Sequence, residues 1–195
     1  KKLKKDVIAA FNITCVGDNN CYSYVPSRHG NTFTDKVSLN ILKSTDPNFK
    51  KYSWLDRGSD ERQFCSPGVD LPMVTLCRSK FGEYKEYHTS LDDFSLVNVE
   101  GLLGGFKIVK SCIEEILKLK IPKSKMTCEP HLSKYNLYNS INFKSQKNYS
   151  TNLLNFLQYS DGTRSVKEIS KIINLDYKKC QKIASVLKKN NLILI

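Results

Sequence analysis

The stretch VIAAFNITCV, residues 7–16, is a continuous apolar and β-branched run that predicts a buried strand; Gly17-Asp18-Asn19-Asn20 ends it with turn-forming residues. CYSYV at 21–25 alternates like a second strand and stops at Pro26. Thr34 or Asp35 can cap a helix running to about Leu42, with Val37, Leu39, Ile41 and Leu42 as its apolar contacts. LPMVTLCR at 71–78 predicts another core strand. A long amphipathic helix follows, with Leu102, Leu103, Phe106, Val109, Ile113, Ile116 and Leu117 at helical spacing and Pro122 as its stop. Alternating strands and helices predict an α/β layer with a partly parallel sheet, in which ligand sites gather beyond the carboxyl ends of the strands. Asp18 occupies such a position.

The pattern changes near Pro130. KYNLYNSINFKSQKNYS is polar, Asn-rich and aperiodic, and reads as a linker over 131–150. Leu153, Leu154, Phe156 and Leu157 then predict a helix. Ser165 and Glu168 form a capping box for a second helix, and Asp176 caps a third; NNLILI closes as a strand. This is the order of a winged helix-turn-helix. The expected division is residues 1–130 as an α/β unit, 131–150 as linker and 151–195 as a winged-helix unit.

Composition narrows the options. Forty per cent hydrophobic residues, with ten Tyr and nine Phe among 195 residues, supply a core. No apolar run approaches the roughly 20 residues of a membrane span, and the basic start lacks a signal-peptide pattern. The seven cysteines are odd in number and show no CxxC spacing, which points to reduced thiols and a cytoplasmic compartment. The net charge of +12 is open to two readings, nucleic-acid binding or a lysine-rich solvated surface. Residues 151–195 carry eight Lys/Arg against three Asp/Glu. The third helix offers Lys178, Lys179, Lys182, Lys188 and Lys189 to phosphates but, apart from Gln181, nothing to read bases, so sequence-specific DNA binding is not expected.

Two short segments carry chemistry. His88, in EYHTSLDD, stands off any apolar periodic face among carboxylates, which suits a metal ligand but equally a surface histidine. Asp60 and Glu61, in GSDERQFCSPGVDLP, are open to three readings: solvated carboxylates neutralised by Arg62, carboxylates that bind a substrate amino group, or an acid/base group raised by burial. His29 and His131 read as surface residues.

TCVGD with YSYVPSRHGNT, then GSDERQFCSPGVDLP and EYHTSLDDF, together resemble the C-terminal half of the aminopeptidase-like proteins found beside polysaccharide-biosynthesis genes. FLQYSDGTRSVKEISKIINL resembles their winged-helix appendage. Those proteins are similar to zinc-dependent exopeptidases and glutaminyl cyclases, so the implied fold is a partial zinc-exopeptidase-like sheet-and-helix domain followed by a winged helix. Ser59-Asp60, Gly68 and His88-Thr89 stand in that group's Ser-Asp loop, Gly-x-Pro and His-Thr places, although Gly68-Val69-Asp70-Leu71-Pro72 stretches the second. The resemblance implies His88 and Asp18 as zinc ligands, with Asp60 and Glu61 lining the pocket and Glu61 a substitute for a general base. Nothing here matches the group's earlier histidine–aspartate motif or its glutamate base.

The chain therefore reads as part of a zinc aminopeptidase-like hydrolase, inactive alone, whose partners are an N-terminal half of the same protein and a peptide or amino-acid-conjugate substrate. Association through exposed sheet, including homo-oligomers, is expected. The alternative is a nucleic-acid-binding or protein-interaction module acting through the winged helix.

Overall fold

In the computed structural model, residues 4, 6–137 and 143–195 are described, apart from the side chains of 143–148. The chain divides after Lys118 into two compact units. Residues 119–130, assigned from sequence to the first unit, fall in the second, because Lys123–Ser124 pair with its last strand.

The first unit holds a mixed four-stranded sheet with its strands in the order β1–β4–β2–β3. Strand β1 (Ala10–Ile13) lies parallel to β4 (Met73–Cys77), with Ala10 opposite Met73 and Ile13 opposite Leu76. Strand β2 (Ser23–Val25) is antiparallel to β4 and parallel to the exposed two-residue β3 (Lys50–Lys51). Val74, Leu76, Tyr24 and Val25 fill the core between the sheet and its helices.

Helix α1 (Phe33–Thr45) starts two to three residues earlier than its sequence suggests. Thr32 is the cap, in a reciprocal box with Asp35. Asp35 also has a tertiary role. Fully buried, it accepts hydrogen bonds from Tyr24 Oη (2.5 Å), Ser27 N (2.9 Å), Ser27 Oγ (2.5 Å), Thr32 N (2.9 Å) and Thr32 Oγ1 (2.5 Å). One carboxylate thus ties the end of β2, the turn after it and the start of α1.

A single turn, α2 (Glu61–Phe64), precedes β4, and the long helix α3 (Val99–Lys118) follows it. Helical spacing finds α3 but assigns its inner face wrongly. Its buried residues are Gly101, Gly104, Gly105, Ile108 and Cys112, whereas Leu102, Leu103, Phe106, Ile113 and Leu117 are exposed. The glycines let the helix backbone approach closely. A Cβ on Gly101 would lie 2.0 Å from the Gly17 carbonyl oxygen.

In the second unit, α4 (Phe143–Gln158) reaches back into the stretch read as linker, of which residues 138–142 lie outside the description. Leu132, in the same stretch, is buried in the unit's core with Leu153, Phe156, Ile169 and Leu187. Helix α5 (Val166–Ile172) has the Ser165–Glu168 capping box, and Asp176 caps α6 (Tyr177–Lys189). Strand β6 (Ile193–Leu194) finds its partner in β5 (Lys123–Ser124), so the wing is closed by the segment that opens the unit.

Candidate functional site

The parallel strands β1 and β4 end at the same edge of the sheet, and there the chain builds a fixed carboxylate. Asp18 is buried. Its Oδ2 accepts from Ser79 N (2.9 Å); its Oδ1 accepts from Ser79 Oγ (2.8 Å) and Asn20 N (3.0 Å). The loop that carries it is held from several sides. Arg78 Nε donates to the Asp18 carbonyl (2.8 Å) while its guanidinium lies over the Tyr22 ring, and Asn98 N donates to the Gly17 carbonyl (2.9 Å). Gly101 lets α3 touch the same loop.

Asp18 lines a cavity of about 290 Å³ with Cys15, Tyr84, Tyr87, Asp92 and Val97. Burial first, then the Cys15 thiol and the Asp92 and Asp18 carboxylates, push the Tyr84 phenol above its ordinary value, so it stays a protonated donor at the cavity wall. His88 follows Tyr87, and the two rings stack with centroids 3.9 Å apart. The His88 imidazole is exposed, and both His88 (φ 59°) and Cys15 (φ 49°) hold left-handed backbone, a conformation that costs about 1 kcal/mol or more for a non-glycine residue and collects at ligand sites.

The sequence-predicted residues separate into two groups. Asp18 and the segment bearing His88 meet at the cavity. Glu61 lies elsewhere, under the strands, fully buried: Oε2 accepts from Asn12 Nδ2 (2.7 Å) and Thr75 Oγ1 (2.8 Å), and Oε1 from the amides of Gly58 (2.7 Å) and Ser59 (3.0 Å). Asn12 and Thr75 face each other across β1 and β4. Both oxygens are saturated, so the carboxylate braces α2 against the sheet and has no lone pair free for a substrate proton. Asp60 is exposed and makes no capping bond. His29 and His131 are exposed; His29 lies 3.3 Å from Asp70, and His131 Nδ1 is 2.6 Å from Ser133 Oγ.

Ser79, Tyr84, Tyr87 and Asp92 escaped the sequence reading. The strand-end rule that singled out Asp18 after β1 applies equally to Ser79 after β4, and that signal was present in the pattern.

Glu61 has a measurable signature. Burial pushes its carboxyl up, but the Ser59 and Gly58 amides and the Thr75 hydroxyl outweigh burial and hold it below its ordinary value. A lowered folded pKa gives stability that is complete above the ordinary value of 4.5 and is lost as pH falls below it. Glu61→Gln is expected to cost about 2–4 kcal/mol at neutral pH, with the gap to the parent narrowing at about pH 3. Denaturant unfolding at both pH values measures this; a gap that does not change with pH would mean the carboxylate is not held charged.

A catalytic zinc takes about three protein ligands and an open position. Among the described residues, no three His, Cys, Asp or Glu side chains are grouped to hold a metal. Asp18 already accepts three hydrogen bonds, and the His88 imidazole stacks on Tyr87 of the cavity wall.

In the second unit, residues 119–195 carry 14 Lys/Arg against 4 Asp/Glu, while the first unit is near balance. The basic charge of the protein is therefore a property of the winged-helix unit, where Lys178, Lys179, Lys182, Lys188 and Lys189 are exposed on α6. Among the described residues, no helix is long and apolar enough to cross a membrane.

A mixed α/β unit with a carboxylate fixed at its strand ends, followed by a winged helix, defines the class of this protein. Residues 1–118 match the family described as a domain of unknown function (DUF4910), and the chain belongs to that family. Residues 120–194 match the winged helix-turn-helix family. The chain is similar to a "Putative polysaccharide biosynthesis protein with aminopeptidase-like domain" of Clostridium acetobutylicum, at 29% identity over 99% of this chain and 44% of that protein. It is also similar to the crystal structure of a "putative peptidase" from Clostridium acetobutylicum, with TM-score 0.60 and 26% identity over 99% of this chain and 43% of that one. The chain thus spans less than half the length of each of these relatives.

Proposed function

We propose that this chain is one portion of an aminopeptidase-like hydrolase, and that it supplies one wall of the reaction site. The observation that carries the reading is the Asp18 carboxylate, buried and fixed by Ser79 at the strand ends, in the wall of a cavity that Tyr87 also lines, with the exposed His88 ring stacked on Tyr87. Such fixed polar groups at the end of parallel strands are where α/β enzymes hold ligands. Similarity to relatives named for aminopeptidase-like and peptidase domains supports the same class. In this reading Asp18 and His88 are donated to a zinc site whose remaining ligands, with the general base, come from polypeptide beyond this chain. The substrate is a peptide or an amino-acid conjugate. Unpaired cysteine thiols accord with a reducing, cytoplasmic setting.

The test is a chimera in which this chain replaces the matching part of the Clostridium acetobutylicum relative. Zinc-loaded chimera is expected to release amino acids from aminoacyl substrates, and His88→Ala or Asp18→Ala to reduce turnover by at least about 100-fold, while the chain alone is inactive. Turnover that survives both substitutions, or no turnover by a folded chimera, would sink the reading.

A further inference from the structure

Helix α3 is apolar on two sides. Its glycine side is buried, but Val99, Leu102, Phe106, Ile113 and Leu117 recur at helical spacing on a second, exposed side, bordered by the half-buried Val109, which lines the inner gap. Phe106 is 62% exposed and Leu117 79%. That spacing is the seam one helix offers another, and a contiguous exposed stripe of this kind marks an interaction surface.

The sheet stops on an open edge as well. Among the described residues, strand β1 is one of its two outermost members, with Ile13 and, just before the strand, Ile8 exposed. Ile13 stands opposite Leu76, and residues in register on parallel strands point to the same face. Leu76 lines a small apolar gap with Leu42 of α1 and Ile108 of α3, so Ile13 points into the helix layer. The strand layer and the helix layer therefore both end with apolar side chains uncovered.

We propose that the outer stripe of α3 and the open edge of β1 form one docking seam for a further α/β segment, a strand added to β1 and a helix laid along Val99–Leu117. The occupant is polypeptide equivalent to the part of the Clostridium acetobutylicum relative that this chain does not span. The shared region takes in nearly all of this chain but less than half of the relative, so the relative has ample further chain to cover the equivalent surface. A sheet layer and a helix layer left open together are what a boundary through a single layered domain exposes. The inference rests on the reading of this chain as a portion of a larger domain.

The experiment reads association without reading catalysis. This chain is co-expressed with the unmatched part of the Clostridium acetobutylicum relative, and the products are weighed by light scattering after size exclusion. A one-to-one complex is expected, weakened about 30-fold or more by Phe106→Asp, as for a buried aromatic anchor. Because Phe106 is exposed, the thermal melt of the variant chain alone should match the parent. In the chimera, the amides of residues 8–13 should exchange hydrogen more slowly than in the chain alone. Absence of a complex together with unchanged exchange overturns the proposal; so does a complex indifferent to Phe106→Asp, or a homodimer that Phe106→Asp dissolves. An inactive chimera with a protected β1 edge would remove the hydrolase reading and leave the seam standing.

Discussion

Asp35→Ala is expected to remove about 3–5 kcal/mol from the stability of the first unit. The carboxylate is fully buried and gathers five donors from Tyr24, Ser27 and Thr32. Alanine leaves the Tyr24 hydroxyl and the Ser27 amide facing an apolar void, and each unsatisfied buried donor costs about 1–3 kcal/mol. Burial is the first cause that pushes the Tyr24 phenol above its ordinary value, and it persists when Asp35 is removed, so the hydroxyl stays a protonated donor without its partner. The single tryptophan, Trp54, lies in this unit, so its fluorescence during urea unfolding follows this unit and not the winged helix. A shift worth less than about 1 kcal/mol would mean that the network contributes no more than an ordinary hydrogen bond.

Gly101→Ala should have the opposite sign from the usual helix rule. In a solvated helix the change gains about 1 kcal/mol. Here the added Cβ would sit 2.0 Å from the Gly17 carbonyl oxygen and 2.5 Å from that of Asp18, both backbone atoms. Relief requires moving α3 away from the loop or moving the loop itself, at a net cost of about 2–3 kcal/mol. Gly104→Ala is the control: its Cβ would meet Tyr22 Oη at 2.7 Å and Arg78 Nη1 at 2.8 Å, the far ends of side chains, so its cost should be smaller. Unfolding by Trp54 fluorescence ranks the two. A neutral or stabilising Gly101→Ala would show that the close approach of α3 does not fix the Asp18 loop.

Local rules carried the elements a long way. The capping box of Ser165 and Glu168 and the Asp176 cap place two helices of the winged-helix unit to the residue, because each rests on side chains bonding amides within three positions. β-Branched runs placed β1 and β4, and turn residues placed Asp18 just beyond a strand. The α1 cap was misplaced within the same few residues, since Thr32, Thr34 and Asp35 all have capping chemistry and only the extended backbone at Thr32 selects among them.

What the sequence determined by itself was the class of each unit and the position of Asp18 in the turn that follows a strand, because periodicity, turn chemistry and capping act over a few residues. Tertiary structure decided how those segments meet. Glu61 looked like a pocket carboxylate until Asn12 and Thr75, 49 and 14 residues away, saturated it. Asp18 owes its fixed position to Ser79, 61 residues on. Strand β6 finds its partner in β5, far back in the chain. Helix α3 shows the reason most plainly. Hydropathy ranks Phe106 and Leu117 as inward residues and is blind to Gly101, yet close backbone packing buries the glycine side, and the apolar side is left facing outward.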